Sequence, residues 1–141
     1  IGDAAHAVSP SVGQGCNSAL EDIGIINRLL DQTNDDWAQV IAQFSQVRVA
    51  DAHALVELSD YSFPRAKWLI PEFLFRLTIS RKLNKWFPQW FNPFVFDLIL
   101  DSTMSYSEIL HLSKGWINKV KQSTEQINLA DQPAVQNVGQ D

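Results

Sequence analysis

The sequence predicts a mainly α-helical chain: a glycine-rich loop, then about five helices, then a loose polar tail. Three observations support this. Apolar residues recur at helical spacing over several long stretches. Gly2, Gly13 and Gly15 crowd around Pro10 at the start of the chain. Prolines 64, 71, 88 and 93 then divide the apolar stretches into helix-length pieces.

Taken in order, residues 1–17 read as a turn-rich loop. Residues 16–31 carry Leu20, Ile23, Ile25 or Ile26, Leu29 and Leu30 near the helical period, which predicts an amphipathic helix. Asn17 or Ser18 would cap it, and Glu21 and Asp22 would suit the positive end of its dipole. Residues 32–35 read as a loop. Residues 36–60 form a second, long helix through Trp37, Val40, Ile41, Phe44, Val47, Ala54, Leu55 and Leu58. Residues 72–86 form a third, with Phe73, Leu74, Leu77 and Leu83. The aromatic stretch 86–100 reads as a buried helix and turn, with an interfacial membrane contact as the second reading. Pro88, Gln89, Asn92, Pro93 and Asp97 interrupt it, so it falls short of the ~20 apolar residues of a membrane span. Residues 106–122 form the last helix, around Ile109, Leu110, Trp116, Ile117 and Val120. The polar remainder is expected to be mobile.

The 141 residues are 45% hydrophobic and 19% charged, enough apolar material for a packed core. A net charge of −5 argues against a nucleic-acid partner. Cys16 is the only cysteine, so an internal disulfide is excluded, and no Cys/His cluster suggests a metal. The chain opens on Ile1-Gly2-Asp3 with no basic or signal-type segment. We therefore expect a fragment that lacks an upstream part. Its location reads as cytoplasmic or unknown, and its oligomeric state cannot be read.

Chemistry concentrates in Gly2-Asp3-Ala4-Ala5-His6, Pro10, Gly13-Gln14-Gly15-Cys16-Asn17 and Glu21-Asp22. A Gly-Asp step lets the backbone approach a ligand and offers a carboxylate to hydroxyl groups. Gly13-Gln14-Gly15 leads into a helix whose free amides and dipole favour negative charge. One hydroxyl acceptor and one anion site together suit a nucleotide-like cofactor.

This string resembles the second flavin-binding motif of the class A flavoprotein monooxygenases, built on the para-hydroxybenzoate hydroxylase fold. It matches their Gly-Asp-Ala-Ala-His, Pro, Gly-Gln-Gly, Asn, Glu-Asp pattern throughout. The resemblance implies the C-terminal helical part of an α/β, Rossmann-type FAD monooxygenase. It divides the chain into the motif and its helix (1–31), a helical region (32–121) and the tail (122–141). It also implies FAD as cofactor, NAD(P)H as electron donor, and O2 and a small aromatic molecule as substrates. Gly2 belongs to the FAD-binding set, and Asp3 would hold the ribitol. Pro10 would lie beside the isoalloxazine ring, and Gly13, Gln14, Gly15, Cys16 and Asn17 would present amides to its pyrimidine edge. Reduced flavin is negative there, which a helix N-terminus stabilises. His6 is read as structural and Cys16 as a small neighbour of the flavin rather than a reactive thiol; no residue is assigned a catalytic step.

Residues 48–63 and 75–108 are similar to the kynurenine 3-monooxygenase branch in order and spacing. Four positions depart from it. Ser11 and Val12 stand where that branch has two aromatics. Asp60 stands at an Asn that helps hold the substrate's amino-acid group, and Val95 at an aromatic lining the ring site. These four are the candidate substrate-pocket residues, and the ring substrate is expected to be kynurenine-like at most. The alternatives are an FAD-dependent reductase or epoxidase of the same fold, or a non-catalytic helical interaction module that uses Trp86, Phe87, Trp90 and Phe91. Without its Rossmann half, the chain by itself is expected to be inactive.

Overall fold

The computed structural model describes residues 8–101 and 103–131. The Gly2-Asp3 step, His6 and the last residues of the tail lie outside them. Among the described residues there are five α-helices and no strand: α1 (Gly15–Thr33), α2 (Trp37–Tyr61), α3 (Ile70–Trp86), α4 (Val95–Asp101) and α5 (Tyr106–Ala130).

A 3₁₀ turn over Pro10–Val12 precedes α1. It closes at Gly13, whose φ of 66° and ψ of 16° lie in the left-handed region and whose N–H donates to the Pro10 carbonyl at 3.1 Å. Glycine enters that region without the cost a Cβ imposes. Gln14 is the N-cap residue of α1 and makes no side-chain cap, so neither Asn17 nor Ser18 takes that place. Both sit inside the first turns. Asn17 Nδ2 donates back to Gln14 Oε1 at 2.8 Å, and Ser18 is buried.

The α1–α2 connection is tight. Asn34 and Asp35 take left-handed φ values of 51° and 63°, which their short polar side chains tolerate. Asp36 then caps α2 by accepting from the Ala38 and Gln39 amides at 3.0 and 3.2 Å. The two helices form an antiparallel hairpin closed by Ile25, Leu29 and Val40, with Ile26, Leu30 and Phe44 packed against them. Leu20 and Ile23, expected on the apolar face of α1, are instead exposed, as are Trp37, Ile41 and Val47 on α2 and Leu74 on α3. Helical spacing alone did not decide which of two adjacent apolar stripes faces the partner helix.

α5 packs along α2 and runs in the same direction: Asp51 meets Ser107, and the Ser62 carbonyl meets Trp116. α3 and α4 form the crossover between them. The main core joins Val12, Leu58, Phe73, Val95, Leu98, Ile99, Ile109, Trp116, Ile117 and Val120. Phe73 lies at its centre, with ring centroids 5.2 Å from Phe63, 5.7 Å from Phe94 and 5.9 Å from Trp116. Arg81 on α3 grips Asp97 on α4 through both carboxylate oxygens, with Nη2 to Oδ1 at 2.7 Å. Within 86–100 only the second half is buried, through Val95, Leu98 and Ile99; Trp86, Phe87, Trp90 and Phe91 are exposed.

α5 opens with a reciprocal capping box between Ser105 and Glu108. It also runs past Gln122, where the sequence pattern ended it, to Ala130. Ser123 and Thr124 cause the difference. They broke the apolar pattern, yet both are buried and donate to the Val120 carbonyl at 2.7 and 2.9 Å, so hydroxyls fill positions that apolar residues usually take.

Candidate functional site

The start of α1 carries the sequence-derived cofactor residues, and their burial alternates. Pro10, Ser11, Gly13, Cys16 and Asn17 are exposed, whereas Val12, Gln14 and Ser18 are buried beneath them. The result is an open shelf backed by the core. Among the described residues no side chain caps the first turn of α1, and no acidic residue lies in that turn, so its amides and dipole favour an electron-rich ligand edge. Gly15 sits against the preceding segment: a Cβ there would lie 3.2 Å from Val8 Cγ2. The backbone of this turn is therefore close-packed from behind and open in front. Gly2 and Asp3 fall outside the described residues, so the carboxylate half of the site is not positioned.

The four substrate-pocket candidates come from distant points in the sequence, and the fold draws three elements together around them. The Ser11 hydroxyl donates to the Ser59 carbonyl on α2, next to Asp60. Val12 and Val95 are buried in one core cluster, joining the motif turn to the start of α4. Val95 also lines a cleft of about 450 Å³ with Arg76, Trp116 and Lys119. Asp60 is half-buried. Cys16 is a free, exposed thiol. Among the described residues, no cluster of His, Cys, Asp and Glu could hold a metal, and no helix is long and apolar enough to cross a membrane.

A buried ion cluster just behind the shelf escaped the sequence reading. Arg48 on α2 is 4% exposed, and Asp22 on α1 is fully buried. Arg48 Nε donates to Asp22 Oδ1 at 2.8 Å, and Nη1 lies 3.1 Å from Glu21 Oε2 and 3.4 Å from Asp51 Oδ2. Nη2 reaches the Ser18 hydroxyl at 2.9 Å and its carbonyl at 3.3 Å. The other Asp51 oxygen accepts the Ser107 amide and hydroxyl at 2.9 and 2.8 Å, in the first turn of α5. Glu21 and Asp22 therefore serve this arginine, not the dipole of their own helix. The only sequence sign was the Glu21-Asp22 pair together with Arg48 and Asp51 one helical turn apart. Tyr106 stands at the edge of the cluster. Burial first, and then the Glu21 carboxylate, push its phenol above its ordinary range.

Residues 1–59 match the family described as FAD binding domain. The chain is similar to kynurenine 3-monooxygenase of Sus scrofa, 33% identical over 126 residues, 85% of this chain. It is similar to the enzyme of that name from Flavobacterium psychrophilum, 36% identical over 112 residues, and from Legionella pneumophila, 37% over 91 residues. The chain spans about a quarter of the length of the first two relatives, 26% and 25%.

Proposed function

The chain is related to the class A FAD-dependent monooxygenases, and from that premise we propose that the protein carrying it binds FAD and hydroxylates a small aromatic substrate with O2 and NAD(P)H. The observation that carries this reading is the shelf at the start of α1, where the Gly13-to-Asn17 backbone lies open at an uncapped helix start. These residues fit a flavin. The left-handed Gly13 turns the chain without a side chain in front, and the first-turn amides match an acceptor-rich ring edge.

In this reading Gly2 and Asp3 hold the ribitol, Asp3 accepting from its hydroxyls. Pro10 forms the wall beside the ring, and Gly13, Gln14, Gly15, Cys16 and Asn17 bind the pyrimidine edge. FAD, when bound, supplies the electron transfer and oxygen chemistry; the protein binds it, orients it and sets the field around it. The positive end of α1 favours the anionic reduced cofactor over the oxidised one, and the core behind the shelf keeps water from its rear face.

The name of these relatives makes a kynurenine-like aromatic the first substrate to test. Ser11, Val12, Asp60 and Val95 would border its site. Asp60 would repel a substrate carboxylate placed nearby and attract an ammonium or amine. We therefore infer a preference for aromatic amines over amino acids with a free carboxylate on that side.

The test uses the full-length protein. Its visible absorption should contain flavin bands. NAD(P)H oxidation should rise with substrate, and the product mass should increase by one oxygen atom. Flavin without oxygen insertion, with a reduced product, would favour the reductase alternative. A folded protein that never takes up FAD would overturn the proposal and leave the helical interaction module.

A further inference from the structure

We propose that Arg48 is the positioning residue of the shelf: it fixes the first turn of α1 relative to α2 and α5, and through that turn the placement of the amides that meet the flavin. The inference rests on the FAD site proposed above.

The two ends of α1 are held by different forces. Apolar contact with α2 comes from Ile25, Ile26, Leu29 and Leu30, all in the second half of the helix. Toward the shelf, the described contact with α2 is polar and runs through Arg48. Arg48 reaches Ser18, Glu21 and Asp22, within two turns of Gly15. Apolar packing is non-directional and tolerates small slides. A guanidinium fork held at 2.8–3.4 Å on several acceptors does not, because its planar donors match one geometry.

The charge balance points the same way. One buried guanidinium serves three carboxylates, Glu21, Asp22 and Asp51. Such a cluster is weak evidence for net stability, because desolvation offsets much of the attraction. Its consequence is register. Asp51 completes the set: one oxygen faces Arg48, and the other accepts from Ser107 in the first turn of α5. The starts of α1 and α5 are thus linked through two side chains on α2, so a shift of the shelf breaks several charged hydrogen bonds at once.

The experiment compares Arg48→Lys with Val120→Ala in the full-length protein. Lysine keeps the charge but offers one ammonium, which cannot span Ser18, Asp22 and Asp51 together. Val120 is fully buried in the main core on α5 and takes no part in the cluster. Arg48→Lys should raise the FAD dissociation constant roughly tenfold or more, the effect of losing charged hydrogen bonds. It should also shift or broaden the visible flavin bands. Val120→Ala should lower the melting temperature and leave FAD affinity and spectrum as in wild type. FAD affinity within about twofold of wild type in Arg48→Lys would overturn the proposal, and so would an equal loss of affinity in Val120→Ala. If Arg48→Lys does not fold, Ser18→Ala decides: weakened FAD binding in a folded protein supports positioning, and wild-type affinity refutes it. A wild-type protein that takes up no FAD removes the functional reading itself, and that outcome is separate from all of these.

Discussion

Replacing Gly13 separates backbone conformation from steric space at the shelf. Its φ of 66° is left-handed, and a Cβ built there meets nothing within 4 Å. Gly13→Ala therefore adds no clash, and its whole cost is conformational. Holding an L-residue in the left-handed region costs roughly 1–2 kcal/mol. The stiffer unfolded chain returns roughly 0.4–1 kcal/mol. The balance is a net loss of about 1 kcal/mol, near a fivefold change in the folded-to-unfolded ratio. Gly13→Asn should lose less, because asparagine enters that region more readily. Gly15→Ala makes the contrast. Its Cβ would press Val8 Cγ2 at 3.2 Å, while alanine gains up to about 1 kcal/mol of helix propensity, so this variant should lie nearer wild type. Urea unfolding of the three variants at unchanged m-value measures the order. Gly13→Ala as stable as wild type, or Gly13→Asn as damaged as Gly13→Ala, refutes the claim that the turn needs a left-handed residue.

Two further substitutions probe the body of the fold. Trp116→Phe keeps an aromatic ring against Phe73 and Phe94 but removes the Nε1–H that donates to the buried Ser62 carbonyl at 3.0 Å; we expect a loss of about 1–3 kcal/mol by urea unfolding. Glu72 accepts from Lys119 Nζ at 2.5 Å and Arg76 Nε at 2.9 Å. These bonds, Lys119's first, hold its carboxyl below the ordinary range. A lowered folded pKa gives stability that is present above the unfolded value and lost as pH falls through the folded one. Glu72→Gln should therefore lower the melting temperature near pH 7, and the gap to wild type should narrow as the pH falls through the lowered carboxyl value.

Much of this architecture was legible in the sequence. Each of the five helices was foreseen near its observed place, because proline positions and apolar spacing are local properties. What was not legible depended on partners. Leu20 and Ile25 fit the same helical pattern, yet only Ile25 meets α2. Ser123 and Thr124 read as the end of a helix because a hydroxyl's burial depends on the carbonyl it finds, here that of Val120. The cap of α1 was misplaced because its start is set by the glycine turn before it, not by a side-chain acceptor.

The site divides along the same line. The proposed cofactor residues lie close together in sequence, between Gly2 and Asn17, and come from the string alone. The substrate-pocket candidates lie on three elements, and only the fold brings Ser11 to Ser59 and Val12 to Val95. Arg48 is harder still. In sequence it is one cation on a long helix, and surface arginines of that kind contribute little. Its burial against Asp22 gives it a different meaning. A fully buried carboxylate on α1, within two turns of the first amides, would alone oppose an electron-rich ligand at the shelf. The guanidinium 2.8 Å away offsets the Asp22 charge while also serving Glu21 and Asp51, so removing it would set the charge of all three carboxylates against the positive end of α1. The same arginine that holds the position of the shelf thus also limits the negative charge behind it, so geometry and electrostatics are coupled at this residue.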